Sequence, residues 1–146
     1  SDVDYRIGAV WIFSAGYLYN QATVEAFAAN PALVGKVLPQ VPTHRGSAHV
    51  TYSDPRYATV TFGVQALGAQ FDDDLNSRVV PGYAEPGLPA YALADLTVSR
   101  TVGRHVDAFF GIQNLTDRQY FVGTLPTTIG SPRLINGGLR IRFAGR

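Results

Sequence analysis

The sequence contains no cysteine. A disulfide framework and a thiolate metal centre are therefore excluded. Lysine is almost missing as well: of twelve basic residues, all but Lys36 are arginine. The formal net charge is +1, too small for the electrostatic footprint of a nucleic-acid binder. No run approaches the roughly 18 uninterrupted apolar residues of a membrane helix. The opening Ser1-Asp-Val-Asp-Tyr-Arg has neither a basic n-region nor an apolar h-region, so no leader is expected there. No serine lies in a nucleophile-elbow context, and an enzyme is not expected. One absence excludes little. A transmembrane strand needs only about 9–11 residues of alternating character, which leaves no long apolar run.

What is present favours β-structure. The chain has eight Tyr, eight Phe, one Trp and 15 Gly in 146 residues, a composition suited to strands and turns. Its length suffices for one domain. Alternation predicts an all-β antiparallel up-and-down meander of about six strands. The first strand is expected over Tyr5–Tyr19, with Trp11, Phe13, Ala15, Tyr17 and Tyr19 on one face. The second covers about His44–Ser53 and the third about Tyr57–Phe71. In the third, Ala58, Val60, Phe62, Val64 and Ala66 alternate cleanly with Thr59, Thr61, Gly63 and Gln65. The fourth, fifth and sixth are expected over Ala90–Thr101, His105–Leu115 and Arg133–Phe143. Ala32-Leu33-Val34 is expected to form a short helical turn within the first long connection.

Connection lengths then carry information. Asn20–Thr43, Asp72–Pro89 and Thr116–Pro132 are long; Asp54-Pro-Arg and Val102-Gly-Arg are tight turns. All tight turns therefore fall at one end of the meander and all long loops at the other, the asymmetry of transmembrane β-barrels. One face carries Val, Phe, Ile and Leu; the other carries Asp95, Asp107, Gln113, Asn136, Arg140 and Arg142. The polar set is expected to face a water-filled lumen, with Arg140 and Arg142 pairing across the sheet with Asp95 or Asp107. The apolar set, including Val106, Phe110, Ile112, Leu139, Ile141 and Phe143, is expected to meet lipid. Tyr17, Tyr19, Tyr52 and Tyr57 lie near strand ends, as an aromatic girdle requires. Six strands fall short of the usual minimum of eight for a closed transmembrane barrel, and open edges do not survive in lipid. The last strand should thus pair with a strand outside these residues.

Two metal readings are weak. His44 and His49 fall on opposite faces of a strand and do not share an ion. Asp72-Asp73-Asp74 lacks the Gly and distal Glu of a calcium loop and reads as a solvated loop run. No metal site or cofactor is expected. Asn114 and Asp117 are expected to shape a strand end and its turn.

Several stretches together resemble the C-terminal part of TonB-dependent outer-membrane receptors. Ala32-Leu-Val-Gly-Lys36 running into Pro39-Gln-Val-Pro-Thr-His44 resembles a loop-to-strand entry, with Thr43 where Arg is common. Phe71-Asp-Asp-Asp-Leu-Asn76 is similar to the acidic start of an extracellular loop, and Pro89-Ala-Tyr-Ala-Leu-Ala-Asp95 to the opening of a late strand. Gln113-Asn-Leu-Thr-Asp-Arg-Gln-Tyr120 resembles an "Asn-Leu-Phe-Asp-Lys-x-Tyr" signature, with Thr116 in place of Phe. Gly130-Ser-Pro-Arg133 and Gly138-Leu-Arg-Ile-Arg-Phe143 resemble the final hairpin and strand. The resemblance spans nearly the whole chain. The family usually ends at the terminal aromatic that its assembly machinery reads, whereas Ala144-Gly145-Arg146 follow Phe143 here.

The resemblance implies that residues 1–146 form the C-terminal portion of a 22-stranded barrel, whose N-terminal plug and earlier strands are not among them. It implies TonB-energised uptake of a scarce nutrient, a ferric siderophore first, haem or cobalamin otherwise. It places the chain in the bacterial outer membrane, with long loops extracellular and tight turns periplasmic. Partners would be outer-membrane lipids, an iron-chelate or similar ligand, and the TonB complex through the N-terminal region. Ligand contacts would come from Arg78 and Tyr83 in the second long loop and Arg118, Tyr120 and Phe121 in the third. The rival reading is a small self-contained β-barrel, either an oligomeric outer-membrane barrel or a soluble lipocalin-like binder.

Overall fold

The computed structural model describes residues 1–103 and 105–142. It is an antiparallel meander with a small hairpin set beside it. Strands β1 (Asp2–Ile7), β2 (Trp11–Tyr19), β3 (His44–Asp54), β4 (Ala58–Leu67), β5 (Tyr91–Val102), β6 (Val106–Gln113) and β9 (Leu134–Ile141) form one seven-stranded sheet in that order. The short strands β7 (Phe121–Thr124) and β8 (Thr127–Ile129) pair only with each other.

The expected first strand is two strands. A turn at Gly8-Ala9-Val10 folds β1 back on β2, with Ile7 opposite Trp11. Gly8 takes φ +60, a left-handed conformation that glycine adopts without steric cost. Alternation cannot see this turn. Three intervening residues return the chain with its parity unchanged, so Tyr5 and Ile7 share a face with Trp11 and Phe13. The turns after β3 and β5 have the same construction, with Asp54 opposite Ala58 and Val102 opposite Val106. Tight and long connections thus alternate through the whole sheet, one step further than six strands imply.

Two of the other strands run one residue past their expected ends, β3 to Asp54 and β5 to Val102, and the remaining three are shorter than expected. The third ends at Leu67 rather than Phe71, and the sixth spans Leu134–Ile141. Phe143 and Ala144-Gly145-Arg146 lie outside the described residues. The helical turn is a single 3-10 turn over Pro31–Leu33, capped by the Asn30 side chain, which accepts from the Ala32 amide at 3.2 Å.

Register turns the alternation into two faces. One row across the sheet reads Phe13, Val50, Phe62, Leu96, Ile112, Ile135. Its neighbour toward the tight turns reads Trp11, Tyr52, Val60, Val98, Phe110. On the opposite face run Ser14, His49, Gly63, Asp95 and, one row nearer the turns, Ile12, Thr51, Thr61, Thr97, Gly111, Asn136. Thr51 and Thr61 exchange a hydroxyl hydrogen bond at 2.9 Å, and Ser53 and Thr59 another at 3.0 Å. Tyr17, Tyr19 and Tyr52 lie on the apolar face near strand ends, while Tyr57 lies in the turn after β3. Trp11 packs its ring on Tyr52 at 5.0 Å.

None of the described residues covers either face of the sheet. Among the described residues, the only buried apolar side chains are Val80 and Leu88, both in the second long loop. Val3 is 64% exposed and Ile135 63%. Each such side chain left in water forgoes about 1.5–3 kcal/mol relative to burial. The edges β1 and β9 are unpaired with each other, so seven strands do not close into a barrel.

Candidate functional site

The three long loops, loop A (20–43), loop B (68–90) and loop C (114–133), gather at one end of the sheet. They hold most of the chain's buried polar groups, and their structure follows from satisfying those groups.

Loop A doubles back on itself. Val24 and Leu38 donate to the Lys36 and Ala22 carbonyls, both at 2.9 Å. Loop B is closed by a two-way exchange between Gln70 and Leu88 at 3.1 and 2.6 Å, which seats Leu88 and Val80 inside. Asn76 joins A to B: its Oδ1 accepts from the Val37 amide at 2.7 Å and its Nδ2 donates to the Val37 carbonyl at 2.9 Å. Gln40 also donates to the Phe71 carbonyl at 2.6 Å.

The Asp72-Asp73-Asp74 run is not simply solvated. Asp73 is buried, and its carboxylate accepts from the Ser77 and Arg78 amides and the Ser77 hydroxyl. Burial pushes this carboxyl up, but those hydrogen bonds, helped by the Arg78 charge, outweigh it and hold the group below its ordinary value. Asp72 accepts from both the backbone N–H and the hydroxyl of Thr124 in loop C. Only Asp74 points to solvent.

Asn114 is the hub of loop C. It is 4% exposed and takes φ +51. Its side chain donates to the Arg118 and Ser131 carbonyls at 2.8 and 3.1 Å and accepts from the Arg118 amide at 2.8 Å. Asp117, at φ +53, accepts from the Arg133 amide at 3.0 Å. Both residues shape the turn, as expected from sequence. Tyr120 packs against Gly130, where a Cβ would enter its ring, and meets the Tyr91 ring at a tilt of 33°, with centroids 4.3 Å apart.

The five residues expected to touch ligand fall in two groups. Tyr83 and Phe121 come together edge to face, with ring centroids 5.9 Å apart. Tyr120 is half-buried against Tyr91 instead. Arg78 and Arg118 have exposed side chains and contribute backbone groups to the caps of Asp73 and Asn114. The cluster therefore offers rings and guanidinium groups on a backbone fixed from within.

The polar residues of the sheet share one face, and of the two expected partners for the arginines it is Asp107 that pairs. Asp107 lies opposite Arg140, and Arg142 donates its Nε to Asp107 at 2.9 Å. Thr101 donates to the same carboxylate at 2.8 Å. Asp95 does not meet either arginine. The register sets it at the level of Gln113, six residues along β6 from Asp107, or roughly 20 Å. It accepts from the Asn114 amide at 2.9 Å instead and anchors loop C. Gln113 and Asn136 remain on this face, with Asn136 against Gly111. His44 and His49 sit on opposite faces; His44 accepts or donates at 2.7 Å to the Tyr17 hydroxyl.

Sequence reasoning missed the pins, namely Asp72, Asp73, Asn76 and the buried side of Asn114. Their only sequence signal is the local density of Asp and Asn in loops, which does not distinguish a solvated run from a set of caps.

A coreless antiparallel meander, apolar on one face and polar on the other, is a wall cut from a β-barrel. A family profile described as TonB dependent receptor-like, beta-barrel, matches residues 2–115. The chain belongs to that family. No curated protein sequence matches it. Solved structures show the same fold. The ferric yersiniabactin uptake receptor FyuA from Yersinia pestis superposes with TM-score 0.78 at 17% identity, over 98% of this chain and 23% of its own. The siderophore receptor PiuA from Acinetobacter baumannii gives 0.70 at 20% identity, over 94% and 20%. The copper transporter OprC gives 0.68 at 15% identity, over 97% and 23%. The chain thus spans about a fifth of the length of the structures it resembles.

Proposed function

We propose that these residues are the C-terminal wall and loops of a 22-stranded outer-membrane receptor that takes up an iron chelate with energy from TonB. The observation that carries this reading is the sheet itself. It has one apolar face, one polar face, no core between them, and tight and long connections segregated by end. That combination suits a wall between lipid and a water-filled lumen. On this reading Asp95, Asp107, Gln113, Asn136, Arg140 and Arg142 line the lumen, the tight turns are periplasmic, and loops A–C are extracellular. Earlier strands of the same receptor pair with β1, and the barrel closes at β9.

Arg78, Tyr83, Arg118, Tyr120 and Phe121 are the ligand-facing candidates. Exposed arginines attract an anionic chelate, and Tyr83 with Phe121 offers ring surface for stacking. The metal enters as cargo. The similar structures include siderophore receptors and also a copper transporter; the iron reading is therefore tested against copper.

The test uses the full-length receptor in outer-membrane vesicles. Ferric citrate, ferric enterobactin, ferric yersiniabactin and a copper salt are titrated against it. The reading expects saturable binding of a ferric chelate, weakened about tenfold by Tyr83→Ala with Phe121→Ala. Binding of copper alone would replace the cargo and keep the wall. A detergent-free, soluble, monomeric product would contradict the wall and favour a self-contained binder.

A further inference from the structure

Loops B and C are hydrogen-bonded to each other at a single place. Among the described residues, the bonds from the Thr124 amide and hydroxyl to Asp72 are the only ones that join them. The two residues are 52 positions apart. Thr124 is 8% exposed, so water competes weakly for its donors. Both oxygens of the carboxylate are engaged: one takes the amide, and the other takes the hydroxyl at 2.7 Å. Charge-assisted hydrogen bonds of this kind are roughly twice as strong as neutral ones.

The same two loops carry the facing rings of Tyr83 and Phe121. Phe121 opens β7 and Thr124 closes it, so the bond to Asp72 fixes the far end of the four-residue strand that presents Phe121. Tyr83 hangs from loop B, whose interior is closed by Leu88 and Val80 and whose first turn is capped by Asp73. Each loop is thus internally ordered, and the remaining freedom is how one sits against the other. An edge-to-face ring contact alone leaves that freedom large, because a single aromatic pair with Tyr83 exposed and Phe121 half-buried competes poorly with loop entropy.

We infer that Asp72 and Thr124 are positioning residues that make one ligand-facing surface out of two loops by holding Phe121 against Tyr83. The inference rests on the reading that these two rings meet the ligand, and it adds the clamp that sets their spacing. Asp72 does not touch the ligand. It acts through Thr124 on Phe121, so breaking it costs preorganisation rather than a contact.

Two measurements on the full-length receptor test it. The first needs no ligand. Spin labels at the exposed neighbours Ala84 and Val122 report the distance between the loops. Asp72→Ala and Thr124→Val should broaden a narrow distribution, and Thr124→Ser, which keeps the hydroxyl, should restore it. The second is affinity for whichever ferric chelate of the panel above binds best. Asp72→Ala and Thr124→Val should raise its Kd by about tenfold and raise the KM of uptake with the maximal rate unchanged; Thr124→Ser should stay near the parent value. A distribution that stays narrow without Asp72 overturns the clamp. So does an unchanged Kd in Asp72→Ala when Tyr83→Ala and Phe121→Ala weaken binding. If the ring substitutions leave Kd unchanged, the rings are not ligand-facing and the inference falls with that assignment, whatever the loop distances do.

Discussion

Leu139 on β9 and Leu88 in loop B are the same side chain in opposite circumstances, 69% and 1% exposed. The sheet places its apolar residues outward and leaves them bare. The loop cluster buries two of its apolar side chains, Val80 and Leu88, beside satisfied polar groups, and leaves others such as Leu125 exposed. A soluble domain does the reverse, with strands around a core and loops in water. The difference separates two sources of stability. The sheet depends on its ladder hydrogen bonds and on a surrounding medium that accepts Leu, Ile and Phe. The loop cluster carries its own small core and its own pins.

The two regions should respond separately to substitution. The largest effect is expected in the loops. Leu88→Ala should cost about 2–5 kcal/mol, the range for emptying a packed site. Because loop B closes through the Gln70–Leu88 exchange, the loss should appear as faster amide exchange and proteolysis in loop B, with the sheet unchanged. Next comes the outer face. Phe62 lies mid-strand in the apolar row between Val50 and Leu96. Phe62→Arg should destabilise the membrane-inserted receptor by about 2–4 kcal/mol. Thr97→Arg, on the opposite face beside Gly111, should cost far less. Equal costs at both positions would remove the distinction between the faces.

The smallest effect is a pH dependence. Asp73 is held below its ordinary value of 3.8. A depressed carboxylate contributes stability that is fully present above that ordinary value and is lost as pH falls through the folded value. Loop B should therefore be unaffected from neutral pH down to about 5, and its Ser77 and Arg78 amides should lose protection in strong acid. Asp73→Asn should weaken this acid transition, read by amide exchange at those two residues.

Much of the sheet was legible because its signal is local and has period two. In β4 each residue from Ala58 to Ala66 falls on the face its parity predicts. The exception is instructive. The β1–β2 turn preserves parity, so one long alternating run concealed two strands, and only Gly8 marks the break. The β7–β8 hairpin was hidden for another reason. Four and three residues beside Pro126 are too few to show alternation. Asn114 and Asp117 were legible as turn formers because short polar side chains tolerate left-handed backbone. Of the two partners expected for Arg140 and Arg142, Asp107 on the adjacent β6 pairs with Arg142, whereas Asp95 lies on β5 with β6 between it and β9, a strand neighbourhood that no local pattern announces. The pins Asp72–Thr124 and Asn76–Val37 span 52 and 39 residues, and no local pattern announces contacts at such separations.

The central claim, that one face of this sheet meets lipid and the other a water-filled lumen, has a direct test along β4. Single cysteines are placed from Ala58 to Leu67 in the full-length receptor in native outer membranes, and labelling by a membrane-impermeant maleimide is measured after periplasmic access is opened. A period of two is expected: positions 59, 61 and 65 react, and 60, 62, 64 and 66 are protected. Uniform labelling, or labelling of the even positions in preference to the odd, would contradict it.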